Sequence, residues 1–157
     1  MSLAGAELSA SFVRPAEPSA AAAIGAIGEE LELFDDWMER YQQIIDWGRR
    51  LPHYPAEWAD AAHRIEGCQS KVWMAATAAE GALYFAGASD AAIVSGLVAL
   101  MLRVYSGREP AEILATDPVF LKDLGLIEAL STNRGNGIAA MARAIQAAAR
   151  VAAGGNG

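Results

Sequence analysis

The chain predicts an α+β fold in which helices cover a small antiparallel sheet. Three observations carry that reading: an amphipathic helical pattern stops at Pro52 and Pro55, two runs of β-formers are divided by Glu80-Gly81, and from Ala91 onward apolar residues recur at helical spacing. The length is that of one domain, expected over residues 29–152.

Residues 1–28 are rich in Ala, Ser, Gly and Pro and show little periodicity. Such a segment buries too little apolar surface to offset the entropy of ordering, so a mobile tail is expected, with Leu8 and Phe12 as candidates for local docking. From Glu29, the residues Phe34, Trp37, Met38, Tyr41, Ile44 and Ile45 fall at helical spacing, with acids early and Arg49-Arg50 at the end as the helix dipole favours. Pro52 and Pro55 then impose an irregular connection through His53, Tyr54 and Trp58. Three strands are expected at His63–Glu66, Lys71–Thr77 and Ala82–Gly87, the last two joined at Glu80-Gly81 and supported by Val72, Trp73, Tyr84 and Phe85.

Ser89 or Asp90 is suited to cap the next helix, whose Ile93, Val94, Leu97, Val98, Leu100, Met101, Leu102 and Val104 are apolar nearly all round and mark it as buried. Glu109-Pro110 and Asp117-Pro118 place proline where a first helical residue tolerates it, predicting two short helices. Ser131, Thr132 or Asn133 offers a cap for a last helix striped by Ile138, Met141, Ile145 and Ala148. Residues 153–157 are expected to fray.

Net charge is −7, and no basic cluster exceeds the pair Arg49-Arg50, so a phosphate-binding surface has no electrostatic basis and no nucleic-acid partner is expected. The apolar share of 54% includes 35 alanines, which bury little each, so the core rests on Leu, Ile, Val, Met and aromatics. The longest nearly continuous apolar run, Ala91 to Leu102, is far short of the ~20 residues needed to span a bilayer, and no membrane partner is expected. The Ala20–Ala23 stretch has neither a basic leader nor acid-free flanks, so it does not read as a signal core. A single cysteine forms no internal disulfide, and a cytoplasmic setting is expected.

That cysteine, Cys68, follows Gly67 on a bend that runs into an apolar strand. Thiolate is the nucleophilic form, and an ordinary cysteine is only a few per cent ionised at neutral pH, so reactivity requires access and nearby positive charge. Arg64 and Lys71 flank it. Free cysteine is equally known as a small buried hydrophobe. A zinc site needs three or four ligands, and beyond Cys68 the sequence offers only His53 and His63 as borderline donors. A Cys-His hydrolase requires a held base and an oxyanion hole, for which His63 beside Arg64 gives no signature. An iron–sulfur scaffold normally draws on several cysteines. Transfer chemistry that uses one thiolate remains.

Gly67-Cys68-Gln69-Ser70-Lys71-Val72-Trp73 resembles the Gly-Cys-x-Ser-x-Val-Trp segment of the SufE family, the sulfur-acceptor partners of cysteine desulfurases. Gly48-Arg49-Arg50-Leu51-Pro52 is similar to the family's Gly-x-x-Leu-Pro. The run Gly87-Ala88-Ser89-Asp90-Ala91-Ala92-Ile93-Val94-Ser95-Gly96-Leu97 is similar to its Gly-x-Ser-Asp-Ala-x-Ile-Val-x-Gly-Leu. Leu130 to Gly137 resembles Leu-Thr-x-x-Arg-x-x-Gly, and Met141 to Ile145 the terminal Met-x-x-x-Ile helix. The resemblance spans about Phe34 to Ala149. His63 stands where the family carries asparagine.

The resemblance implies a SufE/IscU-like fold and a sulfur acceptor rather than a stand-alone enzyme. Cys68 would take persulfide sulfur from a pyridoxal-phosphate-dependent cysteine desulfurase of the SufS/CsdA type, stimulate that enzyme, and relay sulfur to an iron–sulfur scaffold. It further implies that Gly67, Gln69, Ser70, Asp90 and Arg134 support the loop or contact the partner, and that the chain binds no cofactor or metal of its own. Two other readings stay open at this point: a regulatory module that binds the desulfurase without relaying sulfur, and a thiol-based oxidant sensor.

Overall fold

The computed structural model describes residues 8–68, 70–126 and 132–154, with only the backbone for 132–136. Ser19, in extended conformation, accepts the Ala22 N–H on its hydroxyl at 3.0 Å and opens helix α1 (Ala20–Glu32). Ala20, Ala23, Ile27 and Leu31 form the buried stripe of α1. Asp36 then caps α2 (Trp37–Arg49) by accepting the Glu39 N–H at 2.9 Å. The helical pattern expected to run unbroken from Glu29 is thus two helices with a corner at 33–36. The Arg40 side chain holds that corner by donating from Nε to the Leu31 carbonyl, which also accepts the Phe34 N–H, and to the Phe34 carbonyl just beyond the helix.

Two single 3-10 turns, Ala56–Trp58 and Ala61–His63, follow the prolines. Strands β1 (Val72–Ala79) and β2 (Ala82–Ser89) pair antiparallel, with Val72 opposite Ser89 and Ala79 opposite Ala82. The two linking residues, Glu80 and Gly81, both have positive φ, as the tightest hairpin turns require. Helix α3 (Ala92–Tyr105), the short α4 (Pro110–Ala115) and α5 (Phe120–Asp123), and the long α6 (Thr132–Gly154) complete the order. No helix among the described residues is long and apolar enough to cross a membrane.

Helix α3 is the core element, with Leu97, Val98, Leu100, Met101, Leu102 and Val104 essentially inaccessible. It crosses α2 at backbone contact: a Cβ on Gly48 would lie 2.6 Å from the Gly96 nitrogen, and one on Gly96 would overlap the Ile44 carbonyl. That crossing is the physical reason for glycine in both segments that resemble family motifs. On the sheet, Val72, Leu83 and Phe85 join the main core. Ala75 and Ala86, on the opposite face, are covered by Phe12 with Leu8, Tyr54, Trp58 and Tyr84.

Two expectations need correction. The sheet has two strands among the described residues, not three. At His63–Glu66, the Asp60 carboxylate accepts the His63 N–H at 3.0 Å and folds the chain into a 3-10 turn, leaving a single bridge from Arg64 to Trp73. The segment expected as a mobile tail is docked from Leu8 onward. Ala23 and Ile27 are fully buried, Phe12 is 7% exposed, and the Val13 N–H donates to the Phe85 carbonyl at 2.8 Å. A charge clamp adds to this: Arg103 Nη2 meets Glu17 at 2.7 Å and Glu30 at 2.6 Å. Buried Arg108 donates to the carbonyls of Val104, Glu17 and Arg103. Alanine-rich helices bury small side chains, so their packing comes from close approach rather than hydrophobic bulk, and periodicity of large residues does not report it.

Candidate functional site

The Cys68 loop is pinned where it leaves and where it rejoins the sheet. At its start, buried Ile65 donates its N–H to the Val72 carbonyl at 2.9 Å. At its end, the Asp90 carboxylate accepts the Lys71 N–H at 3.0 Å, while the Asp90 N–H donates to the Lys71 carbonyl at 3.2 Å. Between these pins the chain turns at Gly67, whose φ of 94° lies in the left-handed region that side-chain-bearing residues rarely occupy. A Cβ at Gly67 would also touch the Ala140 methyl of α6 at 3.4 Å.

Cys68 is half-buried and packs against the edge of the main core. Its Sγ lies 3.8 Å from the Gly137 carbonyl, a weak S–H···O contact at the N-terminal part of α6. Gly137 is itself close to the thiol: a methyl there would sit 3.6 Å from Sγ. An open groove of about 320 Å³, lined by His63, Arg64, Ile65, Glu66, Met74 and Ala140 among others, runs beside the turn. The loop is thus shielded by α6 on one side and loosely packed on the other.

Burial pushes the Cys68 thiol up from its ordinary value, and the Glu66 carboxylate adds to that. Arg64 and Arg143 oppose it by favouring the thiolate. The balance leaves the resting sulfur mainly protonated at neutral pH, with two cations placed to favour the anion. Among the described residues there is no cluster of His, Cys, Asp and Glu able to hold a metal.

The structure brings together Gly67, Cys68 and Asp90, with half-buried Ser70 between the pins. Gln69 lies outside the described residues. Arg134 lies in the first turn of α6, and its side chain is outside the described residues. Asp90 does not cap α3: that N-cap is Ala91, without a side-chain bond, and the carboxylate turns instead to Lys71. His63 is occupied away from the thiol, its Nδ1 2.7 Å from Asp60 Oδ1. The sequence reading gave Gly137 no role at the thiol and left Arg143 out of the site altogether. Gly137, Ala140 and Arg143 fall at i, i+3 and i+6, the spacing that would have marked one face of α6 as the wall of the loop.

Residues 25–149 match the family model described as "SufE: Fe-S metabolism associated domain". The chain belongs to the SufE family. Among its relatives, an uncharacterized SufE-like protein of Rhizobium meliloti (strain 1021) is 37% identical over 126 residues, covering 77% of this chain and 90% of that protein. The sulfur acceptor protein CsdE of Escherichia coli (strain K12) is 40% identical over 116 residues, covering 73% and 79% respectively. The fold matches the solution structure of a hypothetical protein from Thermus thermophilus with a TM-score of 0.68, at 21% identity, over 82% of this chain and 93% of that one. The SufE family match begins within α1, so the docked arm of residues 8–19 precedes it.

Proposed function

We propose that this SufE-family chain is a sulfur acceptor that takes persulfide sulfur from a pyridoxal-phosphate-dependent cysteine desulfurase onto Cys68, stimulates that enzyme and relays the sulfur for iron–sulfur cluster assembly. The carrying observation is one half-buried thiol on a glycine turn pinned at both ends, with Arg64 and Arg143 favouring its anion. The Cys68 thiolate attacks the terminal sulfur of the desulfurase persulfide. A new S–S bond forms, the old one breaks, and the desulfurase cysteine leaves as a thiolate, so no external oxidant or reductant is consumed. Gly67 provides the hinge, Asp90 holds the loop's exit, Gln69 and Ser70 shape the loop, and Arg134 meets the partner. An exposed thiolate without a resolving cysteine oxidises readily, which the half-buried resting state resists. The setting proposed is cytoplasmic.

The test is mass spectrometry of the intact protein after incubation with a desulfurase and cysteine. The native chain gains one sulfur atom, whereas Cys68→Ser, nearly isosteric, folds normally, gains none and loses its stimulation of turnover. Full stimulation by the serine variant would instead establish the regulatory-module reading.

A further inference from the structure

We propose that Phe12, in the arm that precedes the stretch matched by the family model, is a positioning residue for Cys68: it braces the segment that walls the groove beside the thiol and so sets how readily the loop opens. The role rests on the reading of Cys68 as the reacting group. Ala62, His63, Arg64, Ile65 and Glu66 are consecutive, and together they line one side of that groove. The chain that delivers them is weakly held by its own structure. From Leu51 to Arg64 no residue is buried, and the two 3-10 turns close through bonds of three-residue span, the Trp58 N–H to the Pro55 carbonyl at 3.0 Å and the His63 N–H to the Asp60 carbonyl at 3.3 Å. Such a segment opens locally unless side-chain contacts hold it to the body.

Phe12 supplies such a contact from a fixed seat. The next residue, Val13, is tied down on both sides: its N–H donates to the Phe85 carbonyl at 2.8 Å, and its carbonyl accepts the Ser106 hydroxyl at 2.6 Å. Pro15 lies so close to Gly107 that a Cβ there would stand 2.5 Å from the proline Cδ. From this seat the Phe12 ring meets Trp58 with centroids 5.4 Å apart, and Trp58 meets Tyr54 edge-on at 5.8 Å. Tyr54 closes the unit by donating its hydroxyl to the Trp58 carbonyl at 3.1 Å. Burial, with the field of Asp60 added to it, pushes that hydroxyl up to about 12, so the aromatic unit reaches the residue that caps the next turn. Asp60 accepts the His63 N–H, and Arg64 and Ile65 then pair with Trp73 and Val72 at the entrance to the Cys68 loop. Ala75, which packs with Phe12, also lines the groove. Losing the Phe12 ring therefore frees Trp58, loosens residues 62–66 and widens the open side of the loop.

Alkylation of Cys68 by iodoacetamide in the full chain tests this with no desulfurase present, so a failure here leaves the sulfur-acceptor reading untouched. Phe12→Ala and Trp58→Ala each speed labelling about fivefold, the factor that one aromatic pair is worth. Because Trp58→Ala breaks the contact from its partly exposed side, a folding failure of Phe12→Ala does not remove the test. The double variant labels at most about twofold faster than the faster single one, since both substitutions break one contact. Phe12→Tyr keeps the ring and stays within about twofold of the native rate. Arg103→Met loosens the arm at Glu17 and Glu30, away from this contact, and labels at the native rate, which separates positioning from a general loss of stability. Hydrogen exchange in Phe12→Ala and Trp58→Ala rises across residues 54–66 while α3 keeps its protection. Native labelling in Trp58→Ala and in any folded Phe12→Ala overturns the proposal. So does an equal acceleration in Arg103→Met, a double variant in which the single effects multiply, a Phe12→Tyr that labels as fast as Phe12→Ala, or exchange that rises through α3 as well.

Discussion

The docked N-terminal segment and the Cys68 loop are held by opposite means. Residues 8–32 lie against the body through fully buried Ala23 and Ile27, an aromatic cover at Phe12, and two arginines that together meet the Glu17 and Glu30 carboxylates and the Glu17 carbonyl. The loop between Ile65 and Lys71 has a pin at each end, a weak sulfur contact and an open groove beside it. Local opening is easiest where few apolar contacts and few buried hydrogen bonds must be broken. Stability is concentrated on the side away from the thiol, and adaptability is left at the loop that carries it.

Deleting residues 1–28 gives the largest effect on that contrast. It strips Ala20, Ala23 and Ile27 from the core, removes the Glu17 partner of Arg103 and takes the Glu17 carbonyl from Arg108, so a loss of about 5 kcal/mol or failure to fold is expected. Chemical denaturation reads it. A truncated chain with unchanged stability would show that the docking contacts carry no energy.

Next in size is Arg103→Met, which empties the clamp while keeping the side chain's apolar stem. Glu17 and Glu30 lose their shared cation, and a fall of about 1–3 kcal/mol is expected, with little change in the alkylation rate of Cys68. Thermal unfolding together with thiol labelling decides whether the two regions are separable. Faster labelling in parallel with the stability loss would join them into one unit.

Asp90→Ala should do the reverse. It frees the Lys71 N–H, costs about 0.5–1.5 kcal/mol, and raises the alkylation rate of Cys68 several-fold by loosening the exit of the loop. Stopped-flow labelling at fixed pH measures it.

The smallest effect is in the pH profile. Because burial pushes the Cys68 thiol up, the midpoint of its alkylation profile lies above that of a free cysteine, and Arg64→Ala or Arg143→Ala moves it further up. A thiol whose folded value is raised contributes stability that is complete below the ordinary thiol value and is lost as pH rises through the raised one. The melting temperature of the native chain therefore falls more steeply in mild alkali than that of Cys68→Ser. Parallel curves would show that the thiol is not desolvated by the fold.

Much of this molecule was legible in one dimension. The buried helix of Ile93 to Val104, the hairpin at Glu80-Gly81 and the short helix led by Pro110 follow from periodicity, positive-φ turn chemistry and the missing proline N–H, all of which act within a few residues, whereas Pro118 lies in a turn two residues ahead of α5. The glycine before Cys68 announced a turn, and five motifs in order along the chain carry the resemblance to the family. The packing of α1 was not legible, because alanines dock by closeness and closeness depends on what faces them. Nor was the fate of His63 to Glu66, where one Asp60 carboxylate folds into a 3-10 turn a segment whose composition suits a strand. Arg143 reaches the field of Cys68 only because α6 lies along the loop, although the two are far apart in the chain, and Asp90 serves Lys71 rather than its own helix for the same reason. Local sequence determines which segments are helix, hairpin and turn. Which distant cation, carbonyl and carboxylate surround the single thiol is decided by tertiary packing, since electrostatic and hydrogen-bond interactions depend on distance in space rather than along the chain.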